Sequence, residues 1–505
     1  MSALNDAIVA FRDTEYPQLK GKAYLDHAGS QLPAASFITA FASDLNTTLY
    51  GNPHSTSTPS HLAGARVDAI RARTLAFFNA SPEDYDLVFV ANATAAIRLV
   101  GECFRDHALR ARKHAFWYAH HRDAHNSLIG IREFATEHHC FGDKDVEAWL
   151  SNPATKPSAA KPALFAYPGQ SNMTGRRLPL DWPVRIRATY GNNAYTLLDA
   201  AALATTAPLN IDAIAPDFAC VSFYKIFGYP DLGALIVRKA SADILRHRTY
   251  FAGGTVDVVV SDPDTWHVKR KTLHEALEEG TVAFRSIVAL GHALDTHKRL
   301  YGSMEAVSTH TAALTRGMHA ALAGLRHGNG QPMVWIHNEA TAMPGDAKTQ
   351  GATVAFNVLH GDGTLVPYGD VEREADARGV YVRSGGMCNP GGVQKYLGWN
   401  GKAMKMVLKA GHGCATPIQV HEGKATGVVR ASLGACSVQA DVDALVKFLR
   451  SQYLEKAAST TTIYIATGAE AELESVSEMN EKATMGKVKR PVGWAKRVMG
   501  LAGIH

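Results

Sequence analysis

The sequence predicts an α/β protein with a mainly parallel sheet in a large domain and a smaller α+β domain beside it. Three observations carry that expectation. From about residue 85 to 285, apolar runs of strand length alternate with helical stretches: DLVFVANAT, KHAFWYA, ALFAYPG, YTLLDAA, FACVSFY and GALIV. Such alternation builds a parallel sheet with helices on both faces. Two of the runs end in Asp199 and Lys225, and in open α/β sheets the carboxyl ends of the strands are where ligands bind. A long, periodic helical stretch from Phe284 to Leu325 then leads to further strands near PMVWIHN, TVAFNVL, VYVRSG and GVVRASLG, and to a last helix, ADVDALVKFLR. The expected division is residues 21–290 for the large domain, 1–20 with 291–453 for the small one, and 454–505 for a C-terminal tail.

Size and composition agree with this. A chain of 505 residues suits two domains. At 46% hydrophobic and 20% charged, with a net charge of +5, it has an ordinary globular make-up. No basic stripe with interleaved aromatics argues for nucleic acid. No run approaches the length of a membrane span. The N-terminus carries acidic residues and no long apolar run, unlike a signal or transit peptide. The six cysteines are scattered without CxxC pairs, so a reducing, cytoplasmic setting is expected rather than a disulfide framework or a metal site.

The opening residues read as a short amphipathic helix, followed by the entry strand and turn YLDHAGSQLP. TLYGNPHSTSTPSHLAG reads as an ordered loop, and the strand DLVFVANAT runs into an Ala-rich helix. The small-residue turn there, with Ala93 and Thr94, would aim free N–H groups and a helix dipole at an anion. His125 stands at the start of another helix. His121 is four residues before it, but no acidic third ligand lies near, so a metal site is not expected.

The stretch DFACVSFYKIFGYPDLGALIV organises the rest. A lysine at the exit of a buried strand loses part of its preference for the charged form and becomes a better nucleophile. Asp199 lies 26 residues upstream. An acid and a lysine at two strand ends are what a pyridoxal phosphate site requires: the carboxylate keeps the pyridine nitrogen protonated, and the amine holds the aldehyde. Ser222, three residues before the lysine, is placed to contact the phosphate. Further along, RSGGMCNPGG puts Cys388 on a Gly-rich loop, expected to be mobile and exposed, and a cysteine so placed is more reactive than a buried one. Arg430 interrupts the apolar strand VVRASLG; it needs an anionic partner, either a substrate carboxylate or a structural carboxylate. The tail reads as a linker, an acidic helix and a short basic amphipathic piece with Trp494.

Taken together, these motifs resemble the class V group of fold-type I pyridoxal-phosphate transferases. Within that group the chain is most similar to the cysteine desulfurase-like N-terminal domain of the molybdenum cofactor sulfurases. The runs that carry the likeness are YLDHAG, YGNPHS, ATAAIRLV, HNSLIGIRE, FAYPGQSNMTGRR, LLDAAA, SFYKIFGYP, YFAGGTV, EEGTVAF, RSGGMCNPGG with QKYLG, and GVVRASLG, over about residues 23–450. The resemblance implies a seven-stranded-type sheet, with Lys225 holding pyridoxal phosphate and Asp199 facing its ring nitrogen. It places His125 stacked on the ring and Asn172 near the ring oxygen and the substrate carboxylate. Ala93, Thr94 and Ser222 would hold the phosphate, with Tyr224 where ordinary desulfurases have a histidine. Thr255 would reach the phosphate of a neighbouring subunit, which implies a homodimer. Cys388 would take sulfur from L-cysteine as a persulfide, releasing alanine, and Arg430 would anchor the substrate. The persulfide would then pass to a separate acceptor protein or cofactor. Only 55 residues follow Arg450, so the family's large C-terminal cofactor-binding domain is not expected here. Two other readings stay open: a lyase or aminotransferase-like enzyme acting on another amino acid, with Cys388 a bystander, and a non-catalytic scaffold.

Overall fold

The computed structural model describes residues 3–110, 116–152 and 161–455; the tail expected at 454–505 lies outside the described residues from 456 onward. The chain opens with helix α1 (Ala3–Glu15). The large sheet follows in seven strands: β1 (Tyr85–Val90), β2 (Trp117–His121), β3 (Glu137–Phe141), β4 (Ala163–Pro168), β5 (Ala194–Asp199), β6 (Phe218–Ser222) and β7 (Gly233–Arg238). Their spatial order is β1-β7-β6-β5-β4-β2-β3. All neighbours run parallel except β7, which lies antiparallel to both β1 and β6. The mainly parallel sheet is therefore as expected.

Strands covered on both faces must be apolar on both, and these are. Along β1, Leu87 and Phe89 point into one core with Phe165, Leu198 and Val221, while Val88 points into the other with Leu164, Leu197, Phe218 and Leu235. The second core includes helix α2 (Ala93–Arg110), which starts three residues after β1. Register aligns the ends that matter: Val90 and Ser222 both sit opposite Gly233, and Cys220 sits opposite Asp199. Gly233 is required at that row, because a Cβ there would lie 2.6 Å from Asn92 Cα and 2.7 Å from Val221 O. Three short links after these strands complete the site's framework: helix α3 (Asn126–Ile129) after β2, helix α4 (Tyr224–Phe227) after β6, and the hairpin β8 (Val256–Val260) and β9 (Trp266–Lys269).

The helical stretch expected to run from Phe284 to Leu325 is two helices, α5 (Phe284–Tyr301) and α6 (Met304–Ala323). Gly302 breaks it at φ 75°, a left-handed conformation glycine adopts without a Cβ clash. Ser303 then caps α6, its Oγ accepting from Ala306 N–H. Beyond it, β10 (Val334–His337), β11 (Thr353–Val358), β12 (Arg383–Gly385) and β13 (Val428–Ser432) form a four-stranded antiparallel sheet in the order β10-β11-β13-β12. One face buries Val354, Phe356, Val429 and Ala431 against Leu445 and Phe448 of the last helix, α9 (Gln439–Tyr453). The other packs Ala355 and Val428 on a smaller cluster with Met387, Val393 and Leu397. Val393 and Leu397 belong to helix α7 (Pro390–Leu397), which follows β12 and leads to α8 (Gly401–Lys409). Cys388 lies in the link between β12 and α7. Among the described residues no helix is long and apolar enough to cross a membrane.

Candidate active site

The carboxyl ends of β1, β5 and β6 meet at one edge of the large sheet. At β5, Asp199 is nearly buried; its Oδ1 accepts from Ala201 N–H at 3.0 Å and lies 3.7 Å from the Cys220 thiol. Oδ2 has no hydrogen-bond donor among the described residues. At β6 the chain turns through Phe223 into α4, and Lys225 sits in its first turn. Burial lowers the Lys225 pKa; Asp199 opposes that, while Arg430 and Arg383 add to it. His125 caps α3, its Nδ1 accepting from Ser127 N–H at 3.1 Å. Burial lowers its pKa too, against Asp199 and with Lys225 and Arg383. The acid, the amine and the imidazole thus share one electrostatic neighbourhood.

The anion cradle forms at the start of α2. Ala93 N–H donates to Ser222 Oγ at 2.9 Å, and the Thr94 hydroxyl pairs with that of Ser127 at 2.8 Å. Burial raises the Tyr224 phenol, and its hydrogen bond with Ser222 opposes this. The 18-residue length of α2 and the row at Gly233 aim a helix dipole at this point. Coenzyme fit can be judged from these residues. An amine of lowered basicity, a buried carboxylate with one unused oxygen, an imidazole and a hydroxyl-lined helix start are the donor set pyridoxal phosphate needs. They fit it.

The small sheet supplies the opposite wall. Arg430, 3% exposed, donates from Nη2 to Asp26 Oδ1 at 2.6 Å and from Nη1 to Asn172 O at 2.9 Å, and its Nε is buried without a partner. Its structural partner is therefore Asp26, from the YLDHAG turn. Directly across the register from Arg430 stands Arg383, which sequence reading missed. It is exposed and forms no ion pair among the described residues. It lay unnoticed in RSGGMCNPGG because the cysteine drew the attention; an arginine entering a Gly-rich loop was the available signal.

The Cys388 loop is exposed at the thiol, as expected, but it is not free to wander. Met387 and Cys388 both adopt left-handed conformations, φ 55° and 52°, at about 1–2 kcal/mol each. A clamp holds them there. Asn172 Nδ2 donates to Met387 O at 2.7 Å, and Asn126 N–H donates to Cys388 O at 2.9 Å. Fully buried Asn389 donates to Asp123 O at 3.1 Å and Asn172 Oδ1 at 3.0 Å, and its own Oδ1 caps α7 at Gly392 N–H. Gly391 is needed because a Cβ there would meet Arg122 O at 2.0 Å. Asn172, expected near the ring, thus spends its side-chain amide on this loop.

Other expectations fall out differently. His121 and His125 do not share a helix face: His121 ends β2 and binds Asp143 Oδ1 at 3.0 Å. No cluster that could hold a metal occurs among the described residues. Thr255 is 1% exposed and turns inward, donating to Ala252 O at 2.8 Å, so within one chain it does not reach the cradle.

A seven-stranded, mainly parallel sheet with this lysine–carboxylate edge defines a pyridoxal-phosphate enzyme. A model of the aminotransferase class-V family matches residues 23–406, and the chain belongs to that family. Over 512 residues it is 46% identical to the molybdenum cofactor sulfurase of Aspergillus terreus, covering 99% of this chain and 61% of the relative. With that of Aspergillus niger the figures are 46% over 456 residues, 89% and 55%. The chain therefore spans little more than half the length of these curated relatives. Among solved structures it is similar to a cysteine desulfurase from Thermococcus onnurineus (TM-score 0.66, 19% identity, 87% of this chain and 97% of that one). It is also similar to the cysteine desulfurase CsdA from Escherichia coli (TM-score 0.64, 18% identity, 88% and 98%). At such identities the likeness is one of fold.

Two outcomes test the site. Borohydride treatment of coenzyme-loaded protein, followed by peptide mapping, will fix a pyridoxyl group on the peptide bearing Lys225; Lys225→Ala will carry none, and Asp199→Ala will retain at least tenfold less coenzyme by absorbance. Asn389→Ala will lower stability to urea by about 1–3 kcal/mol, since it strands buried hydrogen-bonding groups, and will speed alkylation of Cys388 by iodoacetamide; an unchanged rate would show that the clamp does not set the loop.

Proposed function

We propose that the protein is a pyridoxal-phosphate-dependent L-cysteine desulfurase or sulfurtransferase that collects sulfur as a persulfide on Cys388 and releases alanine. The observation that carries this reading is the Asn126 N–H···O=C Cys388 bond at 2.9 Å, which ties the exposed cysteine to the residue next to His125.

When bound, the coenzyme supplies an electron sink. The chain's residues do the rest. Lys225, an amine whose basicity burial has reduced, receives and returns a proton at Nζ. Arg383 gives a substrate carboxylate an uncommitted guanidinium, and Arg430 across the register adds positive potential to the same wall. Cys388 reacts as the thiolate: its sulfur bonds to the substrate sulfur as the Cβ–S bond breaks, and protonation of the remaining three-carbon unit gives alanine. The persulfide then waits at an exposed position for an acceptor, either a protein thiol or a cofactor. The same proposal puts the enzyme in the cytoplasm, where a reducing medium keeps Cys388 a free thiol.

A homodimer is part of the proposal. Cross-strand pairing puts Val258, Val260, Trp266 and Val268 on one face of the β8–β9 hairpin. Three of them are 46–51% exposed, an apolar patch that a second copy would cover. Thr255 lies at its base.

Cys388→Ala will abolish alanine and sulfide release from L-cysteine while keeping the visible coenzyme band; full activity of that variant on some other amino acid would replace this reading. Arg383→Ala will raise KM for cysteine at least tenfold with the coenzyme band intact. Trp266→Glu with Val268→Glu will convert a dimer to monomer in analytical ultracentrifugation, and a wild-type monomer would remove the dimer from the proposal.

A further inference from the structure

A second cleft, of about 640 Å³, opens where the segment after β4 meets residues 341–349. Neither Lys225 nor Cys388 lines it. Leu178, Leu180, Leu203 and Pro208 give it an apolar wall, and Arg177 and Lys348 also line it. Backbone pairing carries Arg177 there: its N–H donates to Thr349 O at 2.9 Å, and it bridges antiparallel to Gln170.

Arg176 and Arg177 are neighbours with opposite situations. Arg176 is matched by carboxylates, with Nη1 3.1 Å from Asp123 Oδ2 and Nη2 on Asp143. Arg177 has only neutral acceptors. Its Nε donates to Gln170 Oε1 at 3.1 Å and its Nη1 to Ala347 O, while Nη2 reaches Thr206 O and Oγ1 at 3.4 and 3.5 Å. A guanidinium has five N–H donors. Its four contacts all run to neutral oxygens, so its hydrogen bonding is largely met while its charge is not.

Among the described residues no carboxylate forms an ion pair with Arg177. Asp346 attracts it from a distance, but its oxygens are engaged by Lys348 N–H at 3.0 Å and Thr349 Oγ1 at 2.9 Å. Burial pushes the Arg177 pKa down to about 10. A desolvated cation without a counter-charge is unfavourable, and a guanidinium is well matched to a carboxylate or phosphate. The wall beside it suits an apolar body, as small-molecule sites between subdomains commonly do.

We propose that this cleft binds an organic anion, its carboxylate, phosphate or sulfonate end at the unneutralised Arg177 guanidinium and its apolar body against Leu178, Leu180 and Leu203. Lys348 adds a second positive charge at the rim.

Isothermal titration of the coenzyme-loaded protein with phenyl phosphate tests it, with phenol and inorganic phosphate as controls. One saturable site is expected, with the visible coenzyme band unchanged and both controls at least tenfold weaker. Arg177→Gln should weaken phenyl phosphate at least tenfold. Should that variant fail to fold, Leu180→Glu and Lys348→Glu, both at solvent-reachable positions, carry the test and should each weaken it at least threefold. Absence of binding at millimolar phenyl phosphate, equal binding by all folded variants, or displacement of the coenzyme band would each overturn the proposal.

Discussion

The opposition of Asp199 and Lys225 across adjoining strands is the constraint on which this structure rests. Charges near each other and partly shielded from water interact more strongly than they would in solvent. Burial lowers the Lys225 pKa; Asp199 opposes that, and Arg430 and Arg383 add to it. Holding that balance demands fixed geometry. The parallel sheet provides it by ending β5 and β6 side by side, with Cys220 opposite Asp199 and both faces filled by apolar side chains.

The same logic reaches outward to the small sheet. Arg430 is almost wholly buried, so it needs a partner, and Asp26 supplies one from the first turn of the chain. That bond joins residues 404 positions apart and ties the N-terminal turn to strand β13. Removing one member of such a pair leaves an uncompensated charge, which is worse than lacking both. The arginine that contacts no carboxylate, Arg383, stands across from the one that does. That wall thus carries one neutralised cation and, among the described residues, one open one.

Much of this was legible in the amino-acid order because strands buried on both faces read as continuous apolar runs, and because a lysine or an aspartate ending such a run is rare. The runs before Asp199 and Lys225 announced both the strands and the edge. Less legible were features set by distant pairing. Nothing in YLDHAG says that Asp26 will meet Arg430, and nothing near Asn172 says that its amide will hold Met387. Arg383 was hidden by its more conspicuous neighbour. Gly302 gave a local signal, a glycine amid helical periodicity, yet its positive φ depends on where α6 must start to bury Val307 and Met318. Local chemistry could be read; the long-range matching of polar groups could not.

The clamp around Cys388 fixes the backbone of a residue that is itself exposed. A thiol displayed this way is open to peroxide, stray disulfides and small electrophiles. The backbone clamp, unlike a floppy loop, sets the point from which that thiol projects, so its reactivity depends on side-chain rotation alone.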